Sequence, residues 1–90
     1  MTIKITVKGK VQGVFFRNST KEQADSLKIR GTVENLSNGD VLIVAQGKEE
    51  NLNKLINWSR QGPERAVVDS VQFEEIEDSN FLKNFIVKRW

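Results

Sequence analysis

From Thr2 to Lys8 the chain alternates apolar and polar residues, with Ile3, Ile5 and Val7 set against Lys4, Thr6 and Lys8. A period of two is the pattern of a half-buried strand. With no linker, that strand runs into Gly-Lys-Val-Gln-Gly-Val-Phe-Phe-Arg at residues 9–17, and a helical pattern begins near Asn18. A loop that leaves a strand, tightens at glycine and enters a helix points several backbone N–H groups toward one spot. The positive end of the helix dipole faces the same spot, which makes an anion site. Arg17 adds a planar, permanently charged fork whose donors match the oxygens of phosphate. The segment reads as a loop built to hold a phosphoryl group.

The remaining pattern sets the fold. Ser19-Thr20-Lys21-Glu22 has the form of a capping box, which predicts a helix from about Ser19. Phe16, Thr20, Ala24 and Leu27 recur at helical spacing and are predicted to face the core. A second strand is predicted over Gly31 to Ser37, leading into Ser-Asn-Gly-Asp at 37–40. Asn-Gly favours positive φ at both central positions, as a tight hairpin needs. Val41 to Gln46 is the partner strand, and its nearly continuous apolar run places it inside the sheet. A second helix is predicted over about Glu49 to Gln61, with Leu52, Leu55, Ile56 and Ser59 on its inner stripe, and Gly62-Pro63 to end it. Ala66 to Ile76 reads as a further strand. Phe85, Val87 and Arg89 alternate in a last short strand reaching Trp90. The order is β-α-β-β-α-β plus a short C-terminal strand. This is an α+β, ferredoxin-like split βαβ arrangement, an antiparallel sheet with two helices on one face. Right-handed crossovers and the central hairpin predict an inner strand order of 4-1-3-2. Ninety residues make a single domain, 1–90, with one core.

Composition narrows the chemistry. There is no cysteine, so no disulfide, thiolate nucleophile or thiolate metal site is possible, and no histidine to act as general base or metal ligand. Catalysis must run on Arg, Lys, Asp, Glu, Asn, Gln, Ser, Thr and the backbone. The 14 basic residues are interleaved with 12 acids, for a net charge of +2, and Glu74, Glu75, Glu77 and Asp78 form a local acidic stretch. A protein that tracks phosphates clusters its positive charge on one face, so no nucleic-acid partner is expected. The longest unbroken apolar run, Val41 to Ala45, is far short of a membrane span. The N-terminus starts in a strand pattern with no signal peptide, and the expected compartment is the cytoplasm.

Two segments together resemble the acylphosphatase family. Residues 9–17 match its Gly-x-Val-Gln-Gly-Val-x-Phe-Arg signature at every specified position. Gly31, Val33, Asn35, Gly39, Val41 and Gly47 fall in place in a looser second signature, and the likeness extends over the chain to Gly62-Pro63 and Phe85-x-Val87-x-Arg89. The resemblance implies hydrolysis of the carboxyl–phosphate bond of acyl phosphates to carboxylate and inorganic phosphate, by a monomer needing no metal or other cofactor. It implies catalytic roles for Arg17 and Asn35. Phosphate would be held by Arg17 and by the backbone N–H groups of Gln12, Gly13, Val14, Phe15, Phe16 and Arg17. Asn35 would hold the attacking water by its side-chain amide. No side-chain role is assigned to Lys10 or Gln12, and Trp58 and Trp90 read as packing residues.

Physical chemistry agrees with that assignment. A carboxylate leaves readily, so little general acid catalysis is needed and the lack of histidine is no obstacle. In phosphoryl transfer the protein mainly positions reactants and neutralises charge on the equatorial oxygens. Three residues depart from the family habit. Thr32 stands where an aromatic is usual, Glu34 where a basic or neutral polar residue is usual, and Lys28 where a helix-ending glycine is common. Glu34 lies one step from Asn35, and a carboxylate there is expected to weaken binding of an anionic substrate. A left-handed Lys28 would cost about 1 kcal/mol. Two other functions stay open at this level. One is a phosphate-binding module without turnover, favoured by Thr32 and Glu34. The other is an RNA-binding sheet, which would stack bases on aromatics that Ile3–Lys8 and Val41–Gln46 lack.

Overall fold

β1 (Thr2–Lys10) buries Ile3, Ile5 and Val7 on one face and leaves Lys4, Thr6 and Lys8 partly exposed on the other. In the computed structural model, which describes residues 1–78 and 83–89, this strand sits in the interior of a sheet. The other elements are α1 (Phe16–Ser26), β2 (Arg30–Asn35), β3 (Val41–Gln46), α2 (Glu49–Ser59), β4 (Val67–Ile76) and β5 (Phe85–Lys88). The sheet order is β4-β1-β3-β2-β5, which contains the expected inner order. β5 runs parallel to β2, so the sheet is mixed rather than wholly antiparallel. This arises from the crossover after β4, which returns the chain along the far edge of the sheet.

The helices cover the face that carries Ile3, Ile5 and Val7. Phe16, Thr20 and Ala24 of α1 and Leu52, Leu55, Ile56 and Ser59 of α2 are buried against it, as the helical spacing predicts, while Leu27 is only partly buried. Phe16 meets Trp58 with ring centroids 5.4 Å apart at 54°, a tilted aromatic pair worth about 1 kcal/mol beyond its burial. Trp58 is thus a packing residue, and the expectation for Trp90 lies outside the described residues.

Three local expectations are corrected. α1 begins at Phe16, not at Ser19, and no side chain caps it. The capping box fails because the preceding loop delivers the chain already turned. Phe15 takes φ 64°, Ser19 N–H donates to the Phe15 carbonyl at 3.0 Å, and Thr20 is drawn into the core, where its hydroxyl donates to the Phe16 carbonyl at 2.7 Å. The hairpin between β2 and β3 is also not a two-residue turn. Among its residues only Gly39 has positive φ, at 98°. Leu36 N–H donates to the Asp40 carbonyl at 2.8 Å and Gly39 N–H to the Leu36 carbonyl at 3.1 Å, so the loop spans Ser37, Asn38 and Gly39. A three-residue loop needs left-handed backbone only at its last residue. Asn38 turns its side chain back instead, and its Oδ1 accepts from Asp40 N–H at 3.0 Å. Consequently β2 stops at Asn35 rather than Ser37.

Lys28 does adopt the left-handed conformation, φ 56°. Lys28 N–H donates to the Asp25 carbonyl at 3.2 Å and Ile29 N–H to the Ala24 carbonyl at 2.8 Å, the paired bonds of a Schellman ending in which glycine is usual. Lys28→Gly is therefore expected to raise stability by about 1 kcal/mol, or about 4–8 °C in Tm. Equal or lower urea and thermal midpoints for the glycine variant would contradict the assigned strain.

Candidate active site

The site grows from the end of β1. Lys8 pairs with Ser70 and Gly9 with Val68, so Asp69 is an extra residue in β4 and the ladder is bulged there. Bulges bend a strand and re-aim the residues beyond it. Gly9 (φ 134°) presses on β4 so closely that a Cβ would overlap the Val67 carbonyl oxygen. From here the chain leaves the sheet as the loop 11–15. Val11 and Val14 are buried as its floor, while Gly13 at φ 74° and Phe15 at φ 64° take left-handed backbone. Backbone reversals of this kind make an anion-binding concavity. Gly13 adopts the conformation freely, whereas Phe15 carries a cost of about 1–2 kcal/mol.

The loop ends at the amino terminus of α1, whose first turn has neither an acidic residue nor a side-chain cap. Apart from Ser19 N–H, which bonds the Phe15 carbonyl, the N–H groups of this first turn and the positive end of the dipole can serve an anion. Arg17 lies in this first turn, not on the loop. Its Nη1 donates to the Lys88 carbonyl of β5 at 2.9 Å, which fixes the guanidinium and leaves its other donors for a ligand. One turn further, Lys21 Nζ donates to the Phe85 carbonyl at 2.9 Å, so α1 grips β5 at two points. Arg89 donates to Asn18 Oδ1 beside them.

Asn35 ends β2 opposite the loop. Two contacts hold that strand end in place. Gln12 Nε2 donates to the Leu36 carbonyl at 2.8 Å and to the Asp40 carbonyl at 2.9 Å, tying the loop to the hairpin. Lys8 Nζ pairs with Asp40 Oδ2 at 2.7 Å, with the carboxylate side chain only 12% exposed. The Gln12 side chain is therefore a brace, a role its sequence position did not reveal.

A cavity of about 260 Å³ opens between loop, helix and strand, lined by Gly13, Phe15, Phe16, Arg17, Asn18, Asn35 and Arg89 above Val11. Among the described residues no carboxylate lines it, and two arginines do. Asn35 lines it, and its Oδ1 is buried with no hydrogen-bond partner among the described residues. A buried acceptor left unpaired costs about 1–3 kcal/mol. Gln12 lines a second cavity of about 520 Å³ that shares Arg17 and Asn35 and also includes Glu34, Leu36 and Ser37. Val14 contributes backbone to the loop, but its side chain is core. Glu34, expected to repel an anion, lies 4.0 Å from Lys88 Nζ across the parallel β2–β5 pair. Asn18 and Arg89 were given no site role by the sequence, where Arg89 entered only through the pattern of the last strand. Among the described residues no group of three or more acidic side chains comes together to hold a metal ion, and no helix is long and apolar enough to cross a membrane.

A sequence model described as Acylphosphatase matches residues 3–87. The chain belongs to the acylphosphatase family. An acylphosphatase of Coxiella burnetii is 49% identical over 74 residues, covering 82% of this chain and 78% of that one. The solved structure of an acylphosphatase from Coxiella burnetii superposes with a TM-score of 0.92 at 44% identity, over 97% of this chain and 90% of its own. The crystal structure of the acylphosphatase from Bacillus subtilis superposes with a TM-score of 0.93 at 30% identity, over 98% of each chain. The mixed five-stranded sheet with two helices is thus the acylphosphatase fold, and the chain is a hydrolase of this family.

Proposed function

We propose that the chain hydrolyses acyl phosphates, with the phosphoryl group held by the loop amides of Gln12 to Arg17 and by the Arg17 guanidinium, and the attacking water held by Asn35. What supports this reading is that Arg17 and Asn35 line one cavity at the start of α1, and that the Asn35 Oδ1 bonds no group among the described residues. An amide oxygen accepts a hydrogen bond from a water and turns the water's lone pair toward a neighbouring electrophile. It cannot remove the proton, because an amide has no useful basicity in this range.

In the chemical step the water oxygen bonds to phosphorus, and the bond from phosphorus to the acyl oxygen breaks. The acyl oxygen leaves with the electron pair as carboxylate. The water's proton passes to a phosphoryl oxygen of the substrate itself, so the products are carboxylate and inorganic phosphate. The equatorial oxygens carry their charge through a loose transition state, where Arg17 and the loop N–H groups would neutralise it. The Lys88 carbonyl keeps the guanidinium from having to be organised during the reaction.

The test is hydrolysis of benzoyl phosphate by the purified chain in excess EDTA. Turnover is expected, at the same rate with and without the chelator, and inorganic phosphate is expected to inhibit competitively. A folded chain that binds phosphate but leaves benzoyl phosphate intact would make it a binding module. Loss of activity in EDTA, restored by a divalent cation, would overturn the metal-independent scheme.

A further inference from the structure

The phosphoryl end of a substrate is accounted for by the loop, but the acyl end must also lie somewhere. Val11 and Phe16 close the cavity on its inner side, where they are 1% and 2% exposed. An acyl group attached to phosphate on the loop therefore projects outward, across the rim. Gly13 has no side chain to offer there, and Asn18, Asn35 and Arg89 are polar. Among the described residues Phe15 is the one apolar side chain on that rim.

Its conformation is unusual in two respects. It is a bulky residue in left-handed backbone, φ 64°, where glycine or asparagine is the ordinary occupant. The residue is 69% exposed, between neighbours Val14 and Phe16 that are buried. Packing in the core thus does nothing to offset the conformational cost. Position 15 is also one of the two unspecified positions of the loop signature, so the phosphate-holding function of the loop does not account for a phenylalanine. Strain held at the edge of a site and not repaid by packing points to a role toward a ligand.

We propose that the Phe15 ring is the acyl-group subsite, and that it selects acyl phosphates with an apolar, planar acyl group, an aryl group above all. The proposal rests on the reading of the cavity as an acyl phosphate site. An exposed ring on a residue that lines the cavity and whose backbone is already fixed loses little freedom when a second ring lies against it. Offset or edge-to-face contact between the two is worth about a 3- to 10-fold gain in affinity. A methyl group or a charged acyl chain gains much less from the same surface.

The experiment compares phenylphosphonate with methylphosphonate, stable anions that carry or lack the ring, by calorimetry on the wild type, Phe15→Ala and Phe15→Leu. The wild type is expected to bind the phenyl compound about 3- to 10-fold more tightly. That ratio is expected to fall to near one in Phe15→Ala and to an intermediate value in Phe15→Leu. The ratio of kcat/KM for benzoyl over acetyl phosphate should fall in the same order. An unchanged phosphonate ratio in Phe15→Ala, with circular dichroism of a folded protein, would overturn the proposal. Were Phe15→Ala to unfold, an unchanged ratio in Phe15→Leu would do the same. Because phosphonate binding needs no turnover, an inactive wild type would defeat the hydrolysis reading alone, and the binding ratio would still decide the role of Phe15.

Discussion

Arg17→Ala is expected to lower kcat/KM for benzoyl phosphate by about 10³-fold or more, the largest effect of any single substitution in this chain. The residue is the one guanidinium that is both in the first turn of α1 and fixed by a backbone carbonyl, that of Lys88 at 2.9 Å. Its removal takes away the charge that meets the equatorial oxygens and leaves the loop amides alone to hold the anion. Arg17→Lys is expected to recover little. A single ammonium cannot reach the Lys88 carbonyl and present a planar pair of donors to phosphate at the same time. Steady-state kinetics beside direct titration with inorganic phosphate checks both statements. An Arg17→Ala enzyme within tenfold of the wild type would remove arginine from the mechanism.

Asn35→Ala is expected to separate activity from stability. The rate should drop by about 10²- to 10³-fold, since an unpositioned water loses the orientation that accounts for much of such a barrier. Stability should stay level to within about 1 kcal/mol, because the deleted Oδ1 bonds no other group among the described residues. Asn35→Asp supplies the sharper control. It keeps the shape but puts a negative charge beside the phosphoryl group, so its KM should rise and should fall back as salt is added. Urea denaturation and kinetics on the same preparations provide the check. A clear loss of stability in Asn35→Ala would mean that the amide serves the fold.

The sequence carried the topology and the two ends of the site for a physical reason. Strand and helix periods are local, so they place the elements that carry Arg17 and Asn35, although the helix starts at Phe16 rather than about Ser19 and the strand stops at Asn35 rather than Ser37. What it did not carry was long-range. Gln12 braces the Leu36 and Asp40 carbonyls, 24 and 28 residues away, and nothing near Gln12 announces that. Arg17 finds its carbonyl 71 residues on, in a strand that a four-residue alternation only hints at. The approach of Lys88 to Glu34 was equally hidden, because the two become neighbours only when β5 joins the sheet in parallel. The capping box at Ser19 was misleading for the opposite reason. It was a correct local signal, overridden by a loop that holds Phe15 in a conformation that local preference disfavours.

The grip of α1 on β5 ties the site to the least secure part of the sheet. β5 is a four-residue edge strand, joined to the rest through β2 on one side and through Arg17 and Lys21 on the helix. Short edge elements detach at a lower free energy than the interior of a fold, without global unfolding. A detachment of β5 would take away the carbonyl that holds the guanidinium, and with it the fixed orientation of Arg17, without unfolding the rest. By linkage, an anion that binds only the form with β5 attached must draw β5 onto the sheet as strongly as β5 improves its binding. The last strand is in this sense a ligand of the site, tethered to it by the chain itself.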